Sequence, residues 1–351
     1  ATYEQAKAKA GMIAETVRDG RMPPWYASPA HKGFTNAREL TDEERTTLLQ
    51  WVAHGREKGD EAKLPREPAP AKDGWRIGEP DILIHAPTHE LPADGVVDYK
   101  YVVLPYVFLN TTWVQGVQIL PDNPRVLHHC NMAYVRPGES FRMSNFITGT
   151  VPGGEPMTLS HGTAYRIPAG SLLVLQIHYV TTGKKEKCRL SVGFKYAGGK
   201  VDRHLRFHYL VDTRFRIPPG APAHRVAASR TLATDAELVG LFSHMHVRGR
   251  DMTFKAHTDG KERTLLTIPN YNFDWQMPYR YAPGAMRLKK GTRLEAIAHY
   301  DNSAFNPFNP DPKATVREGQ QTFHEMMNGF VFYIDPNEKL GLEIGKGGMA
   351  K

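Results

Sequence analysis

The chain lacks several features that mark common classes of protein. Of its 351 residues only two are cysteines, Cys130 and Cys188, so one internal disulfide is the most that can form. The longest apolar stretch, near residues 172–177, is far shorter than the roughly 20 residues that cross a bilayer as a helix. The sequence therefore predicts no membrane-spanning helix and excludes a disulfide-rich scaffold.

Positive charge is present but is not concentrated in one place. The chain has 45 Lys and Arg against 37 Asp and Glu, which gives a formal net charge of +8. Acidic residues are interspersed among the basic ones, and no basic helix or aromatic-studded basic stripe is present in the sequence. We expect a solvated basic surface and no nucleic-acid partner.

Proline and glycine are plentiful, and long helical patterns are few. The 26 Pro and 31 Gly are spread among short apolar runs, which is typical of many short strands joined by turns. We therefore predict a mainly β chain, and its length favours about two domains. A small helical segment precedes them at residues 1–57, and a charged, Pro-rich linker follows at residues 58–74. The chain starts at Ala1 without an initiator Met or signal peptide, as a mature or trimmed product would, and export is an open expectation.

The helical segment has a helix at residues 3–19, the loop Met22-Pro23-Pro24 and a second helix that opens on a capping box of Thr41 and Glu44. This order of elements resembles the C-terminal half of a small class I cytochrome c domain. In that family the loop methionine, which corresponds to Met22, would be an axial haem ligand. No CxxCH motif occurs in the chain, so haem c is expected only if such a motif lies upstream. Otherwise Met22 is a packing residue.

Histidines in strand-like runs are the candidate metal ligands. In an extended strand His244 and His246 would share one face. His128 and His129 are adjacent, so both can face one metal only if the strand twists or bulges there. His178 ends a buried apolar strand, where an imidazole needs a bonding partner.

A repeated pattern relates the two halves of the chain. Gly, Ser or Thr, any residue, Leu, four residues and His-Tyr occur at 170–179 and again at 291–300. We infer two sandwiches of common design, each with a histidine pair. Symmetry then makes His299 the third ligand beside His244 and His246. Met326 competes for that place, because a thioether is a soft donor that selects copper, and the residues alone leave the choice open.

The order of these motifs is similar to that in the copper type II, ascorbate-dependent monooxygenases. That family includes peptidylglycine α-hydroxylating monooxygenase and dopamine β-monooxygenase. The resemblance covers roughly residues 75–345 and rests on His128-His129, Gln176-Ile177-His178-Tyr179, His244-Met245-His246, the run Tyr271-Asn272-Phe273-Asp274-Trp275-Gln276 and Glu325-Met326-Met327-Asn328. It implies two tandem jelly-roll-like β-sandwiches, at 75–208 and 209–351, which face each other across a solvent-filled cleft.

The resemblance also implies two mononuclear copper ions with different roles. His128, His129 and His178 match the copper that relays electrons. His244, His246 and Met326 match the copper that activates dioxygen, and His299 falls where the family has a non-ligand. The implied activity is hydroxylation of a C–H bond in a small-molecule substrate. It uses O2 and a one-electron donor such as ascorbate, or a redox partner protein.

Other positions carry weaker expectations. Gln176 shares a predicted strand face with His178 and either lies near the first copper or makes a plain cross-strand hydrogen bond. The family's peptide-binding positions correspond to Phe242, Asn328 and Phe330, of which only the Asn matches. We therefore expect an apolar or aromatic substrate.

Two other classes of function remain open from the sequence. One is a copper protein that only transfers electrons or scaffolds a larger redox assembly. The other is a β-sandwich binding module without metal, whose histidines are satisfied core groups. The scarcity of cysteine departs from the family's many disulfides and favours a bacterial protein, periplasmic or extracellular.

Overall fold

A computed structural model describes residues 2–63, 72–152 and 154–351. Strands dominate these ranges, which confirms the predicted mainly β class. The middle of the predicted linker at 58–74 lies outside the described residues. Within the described ranges, no helix is both long enough and apolar enough to span a membrane.

The α-helices lie near the N-terminus, and the predicted helix at 3–19 is two helices because Lys9 leaves helical conformation. The capping box is confirmed: the Glu44 N–H donates to Thr41 Oγ1, and the Thr41 N–H donates to the Glu44 carboxylate. The helices are α1 (Tyr3–Ala8), α2 (Ala10–Arg18) and α3 (Asp42–Ala53), with short 3-10 turns at Glu61–Lys63, Lys72–Gly74, Met143–Asn145 and Lys346–Gly348.

Short strands make up the rest of the regular structure. Those up to residue 204 are β1 (Ile82–His85), β2 (His89–Leu91), β3 (Lys100–Phe108), β4 (Thr112–Pro121), β5 (Leu127–Val135), β6 (Phe146–Thr150), β7 (Met157–Thr158), β8 (Thr163–Ile167), β9 (Ser171–Tyr179), β10 (Glu186–Cys188), β11 (Leu190–Tyr196), β12 (Gly199–Val201) and β13 (Arg203–His204). The later strands are β14 (Arg206–Val211), β15 (Arg216–Ile217), β16 (His224–Thr231), β17 (Ala236–His244), β18 (Gly249–Thr258), β19 (Lys261–Ile268), β20 (Pro278–Arg280), β21 (Arg287–Leu288), β22 (Arg293–Tyr300), β23 (Val316–Arg317), β24 (Asn328–Ile334) and β25 (Leu342–Ile344).

Each half of the chain forms one sandwich of two main sheets. In the first sandwich, a sheet ordered β1-β11-β4-β8-β13 faces a sheet ordered β3-β9-β5-β6. In the second sandwich, a sheet ordered β14-β24-β17-β20 faces a sheet ordered β16-β22-β18-β19. Each encloses its own apolar core, as alternation of inward and outward residues along the strands requires.

The two sandwiches share a sheet arrangement that explains the repeated sequence pattern. The strands β9 and β22, which carry the two copies, both lie second in a four-stranded sheet. Their Tyr179 and Tyr300 side chains are both buried. The repeat therefore marks equivalent strands.

The expected domain limits need two adjustments. The boundary expected after residue 208 falls inside β14, since Arg206 already pairs with Tyr333 of β24. The strand β25 pairs with β12 instead of joining the second sandwich. There Ile344 packs with Trp113 and Val201, so burial of these side chains holds the C-terminal segment on the first sandwich.

Candidate metal centre

The first histidine group lies where β5 and β9 pair. His129 is the register partner of His178, and the register shifts between Leu127 and His129. This irregularity is the bulge that adjacent histidines need if they are to face the same side. The sequence-level condition on His128 and His129 is thus met.

Among the residues that the structure describes, the one group of three His, Cys, Asp or Glu side chains suited to a metal is His128, His129 and His178, which we call the first cluster. Its candidate ligand atoms lie within 4.8 Å of one another. The Nδ1 atoms of His128 and His129 are 3.1 Å apart, and the His178 Nδ1 is buried without a hydrogen-bond partner.

Neighbouring groups set the tautomers of the first cluster. His128 Nε2 donates to Asp274 Oδ1 at 3.3 Å, which leaves its Nδ1 as an acceptor for the His129 Nδ1–H. His129 Nε2 then accepts from the Tyr99 hydroxyl at 3.2 Å. A metal ion bound by Nδ1 atoms would replace the shared proton, and Asp274 would still orient His128.

Tyr99 is a residue of this site that the sequence did not single out. Its ring stacks on His178 with centroids 4.7 Å apart and planes 14° apart. Burial raises the pKa of Tyr99 above its ordinary value, so the phenol stays neutral. The only signal in the sequence is its place just before β3, two residues from Tyr101 on the same face.

The second cluster comprises His244, His246 and Met326. The two imidazoles are close, with ring centroids 5.2 Å apart. The expectation that both lie in a regular strand is wrong, because β17 ends at His244 and His246 follows in irregular backbone. The strand pairing stops there, and other contacts hold the loop.

Hydrogen bonds at the Nδ1 atoms of His244 and His246 leave both Nε2 atoms able to bind a metal. His244 Nδ1 donates to Gln276 Oε1 at 2.6 Å, while the Gln276 amide group donates to the Phe273 carbonyl. His246 Nδ1 donates to the carbonyl of His324 at 3.3 Å. Both Nε2 atoms keep a lone pair for a metal, and that of His246 is buried without a partner.

Glu325 fixes the loop that carries His246. Its carboxylate accepts from the backbone N–H groups of His246 at 2.8 Å and Arg248 at 2.7 Å. Glu325 is fully buried, and burial raises its pKa to about 8, against the opposing effect of these N–H donors and of Arg248. Arg248 is also buried and donates to Asn302 Oδ1 and to the Phe323 carbonyl. The glutamate thus ties the histidine loop to the chain just before Met326.

Met326 lies next to the strand position that opposes His244. Asn328 is the register partner of His244, and its Nδ2 lies 3.5 Å from the Met326 sulfur. The Asn328 Oδ1 accepts from the Tyr209 hydroxyl at 2.8 Å. These contacts place the thioether beside the paired strands β17 and β24, at the point where β17 ends with His244.

His299 is placed differently from Met326. It lies in β22, which pairs with β16 and β18 and not with β17, and its Nδ1 is bonded to Asp251 at 2.7 Å. The symmetry argument for His299 fails because it assumed that the two histidine pairs lie on equivalent strands. His128 and His129 open β5, whose equivalent in the second sandwich is β18, whereas His244 ends β17.

Burial suppresses protonation of the imidazoles. Burial, then the charges of His128 and His244, lowers the pKa of His178 to about 4, and burial likewise lowers the pKa of His244 to about 4. The pKa values of His129 and His246 fall well below 6.5, again mainly through burial. At neutral pH these four side chains are uncharged and able to bind a metal.

The two clusters touch. The rings of His129 and His244 lie 5.9 Å apart, centre to centre. The solvent-filled cleft implied by the family resemblance is therefore absent between these two described histidines. The segment 271–276 also reaches from the second sandwich to both clusters.

That segment contacts histidines of both clusters. The Phe273 ring stacks on His128 at 4.7 Å and lies 6.0 Å from the ring of His246. Asp274 accepts from His128, and Gln276 accepts from His244. A single segment thus orients one ligand of each cluster. The family resemblance included this run but gave its residues no role.

Gln176 makes the plain cross-strand bonds that were one of its two expected roles. Its Nε2 donates to the Tyr101 hydroxyl at 2.7 Å, and its Oε1 accepts from Asn131 at 3.0 Å. Asn131 and Tyr101 are its register partners on the two neighbouring strands. Gln176 supports the sheet one step from the His129–His178 pair.

The three expected substrate positions differ in accessibility. Phe330 is fully buried among aromatic rings, including Phe242 and Tyr209, and Asn328 is 3% exposed. Phe242 is half-buried and lines a pocket between the sandwiches. Of the three, only Phe242 can meet a bound molecule in this conformation.

Haem is not supported by the residues present. Met22 is 41% exposed, and the residues that follow it pack on the second sandwich, where Trp25 lies 4.9 Å from Tyr279 and Phe34 pairs with Tyr281. The chain has no CxxCH to attach a haem.

Copper fits both clusters by the chemistry of their donors. The first offers three imidazoles and the second offers two imidazoles with a nearby thioether. Buried nitrogens without partners, His178 Nδ1 and His246 Nε2, are costly unless something binds them. Imidazole and thioether donors favour copper over hard cations.

Comparisons with known proteins add little. No family model and no curated protein matches the chain. Among solved structures, the VP2 subviral particle of infectious bursal disease virus is 10% identical, with 78% of this chain and 76% of that chain covered and a TM-score of 0.22. Vicilin from Corylus avellana is 9% identical, with 76% and 85% covered and a TM-score of 0.13. Likeness at such TM-scores carries no argument about this chain.

Proposed function

We propose that this protein is a copper-dependent monooxygenase. It hydroxylates a C–H bond of a small organic molecule with O2 and a one-electron donor such as ascorbate, and it acts in the periplasm or outside the cell. The observation that carries the proposal is the contact between His129 and His244, which joins three imidazoles to the His244–His246 pair. The Met326 sulfur contacts Asn328, the register partner of His244.

Copper held at both clusters would supply the one-electron redox changes and the reactivity toward dioxygen that C–H hydroxylation needs. The chain's own residues do the rest. Gln276 and the His324 carbonyl hold His244 and His246 with Nε2 available, and Glu325 holds the backbone of the His246 loop. Asp274 and Tyr99 orient the imidazoles of the first cluster in the same way.

The unlike surroundings favour unlike roles. Met326 would offer copper at the second cluster a weak, soft donor, which would favour the reduced ion. The first cluster has only nitrogen donors, so we assign it electron relay. Contact between His129 and His244 gives a short path between the two clusters.

The test is copper loading followed by ascorbate-driven O2 uptake, measured with an oxygen electrode across a panel of small organic molecules. The proposal predicts two copper ions per chain and substrate-stimulated O2 uptake. Copper that is reduced by ascorbate without O2 uptake on any substrate would support an electron-transfer or scaffold protein instead. Failure to bind copper would leave a metal-free binding module.

A further inference from the structure

A pocket lies between the two sandwiches, close to both clusters but not part of either. Its volume is about 150 Å³. Strand β6, Val151 and residues 154–159 form one wall, and β17 with β20 forms the other. The exposed Thr158 lies at its rim.

The pocket begins one strand step from the histidines. Asn131 lines it and follows His129 by two residues in β5, while Phe242 lines it and precedes His244 by two residues in β17. Side chains two apart in a strand share a face and are about 7 Å apart along it. A molecule in the pocket would therefore lie beside the place where the two clusters meet.

Most of the exposed surface of the lining is apolar. Phe146, Phe332, Leu159 and Val239 contribute side chains from both sandwiches. A dry apolar cavity of about 150 Å³ is large enough for a benzene-sized molecule. Burying such a ring is favourable in proportion to its apolar area.

The charged residues of the lining are Glu155 and Arg280, which lie together. The Arg280 guanidinium lies 3.4 Å from the Glu155 carboxylate and donates to the Pro156 carbonyl at 2.7 Å. Arg38 and Arg76 also lie 3.9 Å from the Glu155 carboxylate, so three guanidiniums share one carboxylate. The preference for an uncharged ligand therefore rests on the apolar side chains of the lining.

We propose that this pocket binds a small, uncharged, apolar molecule of about the size of one aromatic ring. As the substrate site of the protein, it rests on the proposed function; as a binding site, it does not. Neither Asn328 nor Phe330 takes part, since both are buried outside the lining.

The probes are toluene and benzoate, which share a ring and differ in charge. Binding is measured by isothermal titration calorimetry on the full chain, with and without copper. We expect toluene to bind in both states and benzoate to bind at least tenfold more weakly. Benzoate binding as tight as that of toluene, or no toluene binding to the wild type, would overturn the proposal.

Val239→Phe tests the location by adding a ring to the pocket wall. Its matched control is Val103→Phe, which adds the same ring at an exposed position in β3 outside the lining. We expect at least a tenfold loss of toluene affinity in Val239→Phe and no change in Val103→Phe. Equal affinity in the two variants would overturn the assignment of the pocket.

Circular dichroism shows whether Val239→Phe folds, and Thr158→Trp at the rim replaces it if it does not. The same tenfold loss is expected, and unchanged affinity in a folded Thr158→Trp would count against the pocket. Toluene binding without O2 uptake on toluene or its analogues would support the pocket and reject the monooxygenase. O2 uptake on a polar substrate alone, without toluene binding, would support the monooxygenase and reject the pocket.

Discussion

The imidazole rings of His129 and His244 lie 5.9 Å apart although they belong to different sandwiches. Each is also bonded to another part of the site, His129 to Tyr99 and His244 to Gln276. Side chains from both halves of the chain therefore form one continuous group. A substitution in one cluster should therefore also alter the surroundings of the other cluster.

Removing one imidazole of the first cluster should remove one copper. His178→Ala takes away a buried nitrogen that has no other partner, so we expect copper bound per chain to fall from two to one. His161→Ala, at an exposed position, is the control and should keep two. The measurement is copper content after dialysis. Two ions retained in His178→Ala would contradict the role of His178.

Met326→Leu should separate copper binding from oxygen chemistry. The substitution keeps the size of the side chain and removes the sulfur, so the fold should tolerate it at a cost below about 1.5 kcal/mol. We expect ascorbate-driven O2 uptake to fall at least tenfold. The buried neighbour Met327 supplies the control, since Met327→Leu should leave uptake unchanged. Equal rates in the two variants would exclude Met326 as a ligand.

Asp274→Asn should lower the copper affinity of the first cluster, although Asp274 belongs to the second sandwich. Asp274 accepts from His128 Nε2, and asparagine keeps an accepting oxygen but loses the negative charge, a change of partner that typically costs about 10-fold or more in metal affinity. Because the Asp274 side chain is 69% exposed, we expect the low end of that range. Competition with a copper chelator measures it. Asp259→Asn, at an exposed position, should have no effect, and an equally small effect at Asp274 would show that its hydrogen bond is dispensable.

Glu325→Gln should destabilise the fold. One carboxylate oxygen becomes an NH2 group facing a backbone N–H of His246 or Arg248, which leaves a buried donor unpaired. Such a group costs about 1–3 kcal/mol of unfolding free energy. Urea unfolding at a pH above 8, where Glu325 is ionised, measures this cost, with the exposed Glu318→Gln as the control. Equal midpoints for the two variants would show that Glu325 does not hold the loop.

Acid should destabilise the copper-free protein through the buried histidines. The pKa of His178 and of His244 is about 4 in the folded protein, against 6.5 in an unperturbed histidine. Between these values the unfolded chain binds more protons at these two histidines, so the stability that they contribute is full above pH 6.5 and is lost as the pH falls toward 4. Urea midpoints at about pH 7.5, 5.5 and 4.5 measure the loss. His178→Gln should lose less than the wild type, and an equal loss would place the effect elsewhere.

The sequence predicted those parts of the site that depend on one strand at a time. The His128–His129 pair and His178 were identified because imidazoles in apolar strands need partners, and the bulge that they require is present. The mainly β class and the Thr41 capping box followed from equally local patterns.

The parts that the sequence did not predict depend on contacts between distant segments. Tyr99, which stacks on His178, is one tyrosine among 15. The contact of Phe273 with His128 joins two sandwiches, and no strand pattern contains it. The position of His299 was not predicted for the same reason. Its spacing in the sequence resembled that of a ligand, but its strand lies in a different sheet from His244.

X-ray absorption at the copper edge of the reduced, fully loaded protein tests the central claim most directly. We expect two copper ions per chain in a nitrogen-rich environment, with one sulfur neighbour that disappears in Met326→Leu and persists in Met327→Leu. A spectrum without sulfur in the wild type, or one that Met326→Leu leaves unchanged, would contradict it.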